Sequence, residues 1–268
     1  TDVDFGAGAL LGRVIVNRLW QHHLGQGIVT TPSDFGSQGA RPSHPELLDY
    51  LAGELIRNGW RLKPIHRLIM TSAVYQQSAE PREESLAVDS DNRSYWRWNR
   101  RRLEGEIIRD AMLATSGLLD PTPFGPGTLD EGHRRRSIYF TVKRSQLIPM
   151  MVLFDAPEPL QSMGLRGSTT VAPQALLMMN NPQVRAYAAG LAKRLVREVG
   201  AEPEAVIARG YAYTLSRAPD ADELASGVEF LKEQGARHRG DGHDQAAELA
   251  LMDYCQALFC LSEFMYVD

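Results

Sequence analysis

The sequence predicts a mainly α, multi-helix globular domain with at most a small β-hairpin near residues 128–144. Three observations carry that reading. Apolar residues recur at helical spacing, Gly and Pro separate the segments that do so, and a single stretch alternates in the manner of a strand. With 268 residues, 43% hydrophobic and 23% charged, the chain can bury a sizeable core. It reads as one helical domain over residues 1–268, with subunits 1–78 and 95–268 joined by a polar connection.

Leu11, Val14, Ile15, Arg18 and Leu19 keep helical spacing up to Gly25, which predicts a first helix over residues 9–24. Pro32, Gly36, Gly39 and Pro42 then rule out a continuing helix and predict a long ordered loop, a common seat of function. Ser43-His-Pro-Glu46 has the form of a capping box ahead of Leu47, Leu48, Leu51, Leu55 and Ile56. Asn58-Gly59 ends that helix, and Pro64 begins another with Ile65, Leu68, Ile69 and Ala73 on one face. Residues 79–93 are polar and acidic, with no apolar period, and predict a surface connection. A long helix follows, with Leu103, Ile107, Ala111, Ala114 and Leu118 on its apolar face and Arg100, Arg101, Glu104, Arg109 and Asp110 on the others.

Ser137-Ile-Tyr-Phe-Thr-Val-Lys143 alternates strictly, so it predicts a strand, partnered by part of residues 128–136. Residues 146–155 predict a short apolar helix, and residues 156–170 a second extended loop. Further helices are expected over residues 173–180, 183–199, 203–215, 221–233 and 245–261. Cys255 and Cys260 fall on the last of these, about 140° apart at about 100° per residue, so they should not bond to each other.

A net charge of −4 gives no global attraction to nucleic acid. The longest apolar run, residues 147–154, is too short to span a bilayer and contains Pro149. The opening Thr1-Asp-Val-Asp is not a basic-then-apolar leader, and reads as mature or excised protein. His22 and His23 are adjacent and cannot form the i, i+4 pair that grips a metal on one helix face, and no Cys-x-x-Cys-His offers covalent haem attachment. No metal site and no cofactor is therefore expected within this chain.

Asp34, His44, Glu106 and Asp155 are the carboxylate and imidazole candidates for acid–base catalysis, weighed against caps and turns. Arg100, Arg102, Arg109, Arg136 and Arg144 are the ligand-binding candidates, because guanidinium forks suit carboxylate, sulfate or phosphate, although such runs are more often ion pairs or solvated faces. Trp20, Trp60, Trp96 and Trp98 suit either a sugar platform or interhelical packing. The ligand site is expected where residues 30–42 approach the arginines of residues 97–109 and 134–144.

Arg13-Val-x-Val-Asn-Arg-Leu-Trp20, Thr31-Pro-Ser-Asp-Phe-Gly36, His44-Pro-Glu-Leu-Leu-Asp49 and Asn99-Arg-Arg-Arg-Leu-Glu104 occur in order. Phe154-Asp-Ala-Pro-Glu-Pro159, Thr169-Thr-Val-Ala-Pro-Gln-Ala-Leu176 and Ser262-Glu-Phe-Met-Tyr-Val-Asp268 follow. Together they resemble the planctomycete-type C-terminal domain of unknown function, found in large predicted exported proteins with cytochrome-c-like modules. The resemblance spans almost the whole chain and brings no established activity or catalytic residue. It implies an extracytoplasmic location in the periplasm or cell envelope, neighbouring cytochrome-c-like and unknown-function domains, and haem only in those neighbours. A binding or scaffolding module, with an anionic glycan among its expected ligands, is the resulting expectation. The alternative is a carbohydrate-active enzyme domain, hydrolytic or redox-linked.

Overall fold

A computed structural model describes residues 6–160 and 162–267, so the opening Thr1-Asp-Val-Asp and the final Asp268 lie outside the described residues. The chain is mainly α and forms two compact units. Among the described residues, the first comprises residues 6–101 with Met163–Leu165, and the second comprises residues 102–160, Ser162 and Arg166–Val267. The polar segment 79–94 belongs to the first unit.

In the first unit, α1 (Ala7–Leu24) packs on α2 (Pro45–Arg57) and α3 (Leu62–Met70), and the short α4 (Glu83–Val88) buries no residue. Gly25 takes φ +86° and stops α1, a left-handed conformation that glycine adopts without steric cost. The buried stripe of α1 is Ala9, Gly12, Val16, Trp20 and Leu24 together with Asn17 and Gln21, while Leu11 is exposed. The apolar face expected from Leu11, Val14, Ile15, Arg18 and Leu19 is thus displaced by about one residue, roughly 100°. The capping box is also corrected. The helix begins at Pro45 with His44 as its N-cap and no side-chain cap bond, because Ser43 turns its hydroxyl away to donate to Ile28 O at 3.3 Å.

In the second unit, α5 (Gly105–Thr115), α6 (Pro149–Leu153) and α7 (Ala172–Asn180) precede α8 (Pro182–Val199) and α9 (Pro203–Thr214). Then come α10 (Ala221–Gly240), α11 (Ala246–Cys260) and α12 (Ser262–Met265). The core gathers on α8 and α11, where Leu191, Leu195, Cys255, Leu258 and Phe259 are buried against Ile108, Met112 and Ile207. Asn181 caps α8 by accepting from Gln183 N–H at 2.7 Å, and Asp220 with Glu223 forms a capping box on α10. Cys255 and Cys260 are both free thiols.

Two expectations fail here. The long helix begins only at Gly105, because Arg101–Arg102 form a two-residue strand, β1, that pairs with β2 (Tyr266–Val267). Its buried face is Gly105, Ile108, Arg109, Met112 and Leu113, and Ile107 is exposed. The expected strand at residues 137–143 is instead a 3-10 turn, Ser137–Tyr139, with isolated bridges from Thr128 to Phe140 and from Lys143 to Gln146. Ile138 and Val142 are exposed, so the alternation faces no core, and the stretch just before it is fastened to Arg109, whose guanidinium donates to the Glu131, His133 and Arg135 carbonyls.

Candidate functional site

Asn17 is fully buried on α1 and does the work of a missing strand. Its Oδ1 accepts from Val29 N–H at 2.8 Å and its Nδ2 donates to Val29 O at 3.0 Å, satisfying both polar groups of a buried loop residue. The loop beyond is held by its own polar atoms. Asp34 Oδ1 accepts from Gly36 N–H at 2.8 Å, and Thr31 Oγ1 donates to Asp34 O while accepting from Ala40 N–H. Glycine is required at position 39, where a Cβ would lie 2.1 Å from Asp34 O. His44 rests on the Tyr95 ring at 5.2 Å with its Nδ1 3.0 Å from Ser43 Oγ, and Trp20 Nε1 donates to the Tyr95 hydroxyl at 2.9 Å. On the same unit His23 Nε2 meets His66 Nδ1 at 2.8 Å; burial and the neighbouring His66 and Arg101 charges lower the His23 pKa.

The densest polar cluster lies in the second unit. Asp155 follows the end of α6 at φ +61°, a left-handed position that Asp tolerates and that lets its N–H bond to Val152 O. Its carboxylate accepts from Arg102 Nη2 at 2.5 Å, Thr169 N–H at 2.8 Å and Thr169 Oγ1 at 2.9 Å. Burial alone would raise this carboxyl, but the Thr169 donors and the Arg102 guanidinium outweigh it and hold it below the ordinary carboxylate range. Arg102 also donates to Thr169 O and Leu103 O and lies over the Phe154 ring at 5.1 Å, leaving its side chain 4% exposed. Gln174, at the start of α7, donates to Leu153 O at 2.9 Å and Thr169 O at 3.1 Å. Arg166 donates to Asp155 O and Phe154 O and pairs with Glu106 at 2.9 Å and Glu104 at 3.3 Å. Residues from four separated stretches of chain therefore fasten one bend.

Set beside known proteins, the chain matches over residues 7–231 the model of a family described as PSD1, protein of unknown function (DUF1553). The chain belongs to the DUF1553 family. No curated protein and no solved structure matches it.

Within this DUF1553 domain the candidate residues fall into distinct places. Arg102 and Asp155 are joined directly, and Glu106 is linked to them through Arg166. Asp34 and His44 belong to the other unit, where one closes a turn and the other packs on an aromatic ring. Arg109 is buried and donates to Arg135 O at 3.1 Å, Ser137 Oγ at 3.2 Å, Glu131 O at 3.4 Å and His133 O, which fixes the loop that follows α5. Arg136 reaches Asp110 at 3.4 Å, and Arg100 and Arg144 are exposed.

Sequence reasoning passed over Asn17, Asn92, Arg166 and Gln174. Asn92 had a local signal: it sits in a polar turn, takes φ +53°, and accepts from both Trp96 N–H and Arg97 N–H. The others join residues more than ten positions apart, a distance over which one sequence carries no pairing signal.

Proposed function

We propose that this DUF1553 domain is a binding or scaffolding module of a larger extracytoplasmic protein, working beside cytochrome-c-like neighbours that carry the haem. The neighbours and the location rest on the family resemblance alone. The observation that favours a module over a carbohydrate-active enzyme is the state of Asp155. A general acid or base needs a pKa near the working pH and a lone pair or proton to offer. Asp155 has a lowered pKa and already accepts three hydrogen bonds, so it serves as a fastening point. Glu106 is likewise engaged with Arg166. No helix among the described residues is long and apolar enough to cross a membrane. Anionic glycan remains the proposed ligand class for exposed arginines such as Arg144.

Arg102→Ala tests whether the Asp155 cluster is structural. Loss of the guanidinium orphans the Thr169 and Leu103 carbonyls and the Asp155 carboxylate, at roughly 1–3 kcal/mol, so the melting temperature should fall. Titrating the chain with its neighbouring domains should show association in a calorimeter. Release of reducing ends from a polysaccharide panel by the parent, abolished in Asp155→Asn, would overturn the module reading.

A further inference from the structure

His23, in the last turn of α1, and His66, on α3, meet in the first unit with Nε2 and Nδ1 2.8 Å apart. Their ring centroids are 5.1 Å apart. That is the N···N distance plus one ring radius on each side, so the two nitrogens point straight at each other. Histidines that share a metal ion turn their lone pairs toward a common third point instead. The contact is therefore a head-on N–H···N hydrogen bond, with one ring donating and the other accepting.

The surroundings supply rings and cations. His23 lies edge-on against Tyr75 at 5.6 Å and Tyr75 against Trp98 at 5.0 Å, while the Arg101 guanidinium sits over Trp98 at 5.9 Å. Arg101 also donates to His22 O at 2.8 Å, next to His23 in the chain, and Lys63 and Arg67 lie within one turn of His66 on α3. From α2, Asp49 pairs with Arg13, about three turns before His23. Among the described residues neither ring of the pair is hydrogen-bonded or ion-paired to a carboxylate. Burial, His66, Arg101 and His22 all act in one direction, lowering the His23 pKa below the ordinary histidine value near 6.5.

The contact has two proton regimes. With both rings neutral, one facing nitrogen carries the shared proton and the other is bare. A first added proton can sit on the far nitrogen of the donating ring and leave the bond intact. A second leaves both facing nitrogens protonated, so N–H points at N–H and two positive charges stand ring to ring with no carboxylate to offset them. We propose that this histidine pair is an acid-released latch, which holds the last turn of α1 to α3 while one facing nitrogen is bare and lets them part once both rings are charged. The turn so held ends at Leu24 and launches the loop that Asn17 fastens through Val29. Because the His23 pKa in the fold lies below the unfolded value, the contact stabilises the fold above the unfolded value and is lost as pH falls through the folded one. The latch needs neither a neighbouring domain nor a ligand, so it goes beyond the module reading.

The test is amide exchange on the last turn of α1 and on α3 between pH 8 and pH 5, expressed as protection relative to the unstructured peptide at each pH, with imidazole nitrogen NMR in parallel. Protection there should fall below a pH of about 6.5, by up to roughly tenfold for each unit separating the unfolded and folded values. His23→Gln places an amide nitrogen where Nε2 stands and takes up no proton, so it should keep the parent's protection at pH 8 and lose the acid response. His66→Asn, whose amide reaches the Nδ1 position, should weaken the response and serves if His23→Gln fails to fold. His22→Gln, an exposed neighbour outside the bond, should keep most of it. An acid response as large in either of the first two variants as in the parent would overturn the proposal. So would unchanged protection in the parent from pH 8 to pH 5, or nitrogen spectra showing both rings charged while α1 and α3 remain protected.

Discussion

Asp155 shows how a single residue sets the pH response of its surroundings. Its folded pKa lies below the unfolded value near 3.9, so it stabilises the fold above that value and the contribution disappears as pH falls through the folded pKa. Asp155→Asn should be less stable than the parent at pH 7, and its melting temperature should drop less between pH 5 and pH 2. Parallel melting curves for the two proteins across that acid range would refute the assignment. The same residue marks a limit of sequence reading. The apolar pattern of residues 146–155 places Asp155 at a helix end ahead of a Pro-rich loop, but its donors come from Arg102 and Thr169, far away in the chain. A lone carboxylate therefore read equally well as a catalyst or as an anchor.

At the scale of elements, the helices were legible and their rotations were not. Most helices lie close to their expected spans, because Pro, Gly and capping residues act locally. The faces of α1 and α5 were misread for one physical reason. Each buries a polar side chain, Asn17 or Arg109, together with a glycine, Gly12 or Gly105, and an apolar periodicity count assigns none of these to the core. On α2, whose buried residues are mostly apolar, the expected Leu48, Leu51 and Leu55 are the buried ones. The strand expected at residues 137–143 failed for another reason, since Ile138 and Val142 are exposed and give it no core face to bury. Gly105 makes the packing test direct. A Cβ there would lie 2.8 Å from Phe154 Cβ, an atom that cannot swing aside, so Gly105→Ala should destabilise by roughly 1–3 kcal/mol despite its better helix propensity. A variant melting at or above the parent would show that α5 and Phe154 are not so tightly packed.

Over the whole molecule, stability should follow burial. Amide exchange is expected to be slowest on α8 and α11, which carry much of the second unit's core, and fast on α4, which buries nothing. Protection on α4 equal to that on α11 would contradict this. Both units are interrupted: after Arg101 the chain builds the first part of the second unit before supplying Met163–Leu165 to the first. Those residues matter locally, since Gln21 Nε2 donates to Gly164 O at 3.2 Å and a Cβ at Gly164 would strike Ser33 Oγ. During synthesis on a ribosome, the amino-terminal helices therefore wait for a piece made about sixty residues later, roughly 3–12 s at 5–20 residues per second. In that interval Gln21 lacks its Gly164 acceptor, so the unit that emerges first cannot close until part of the other has been made.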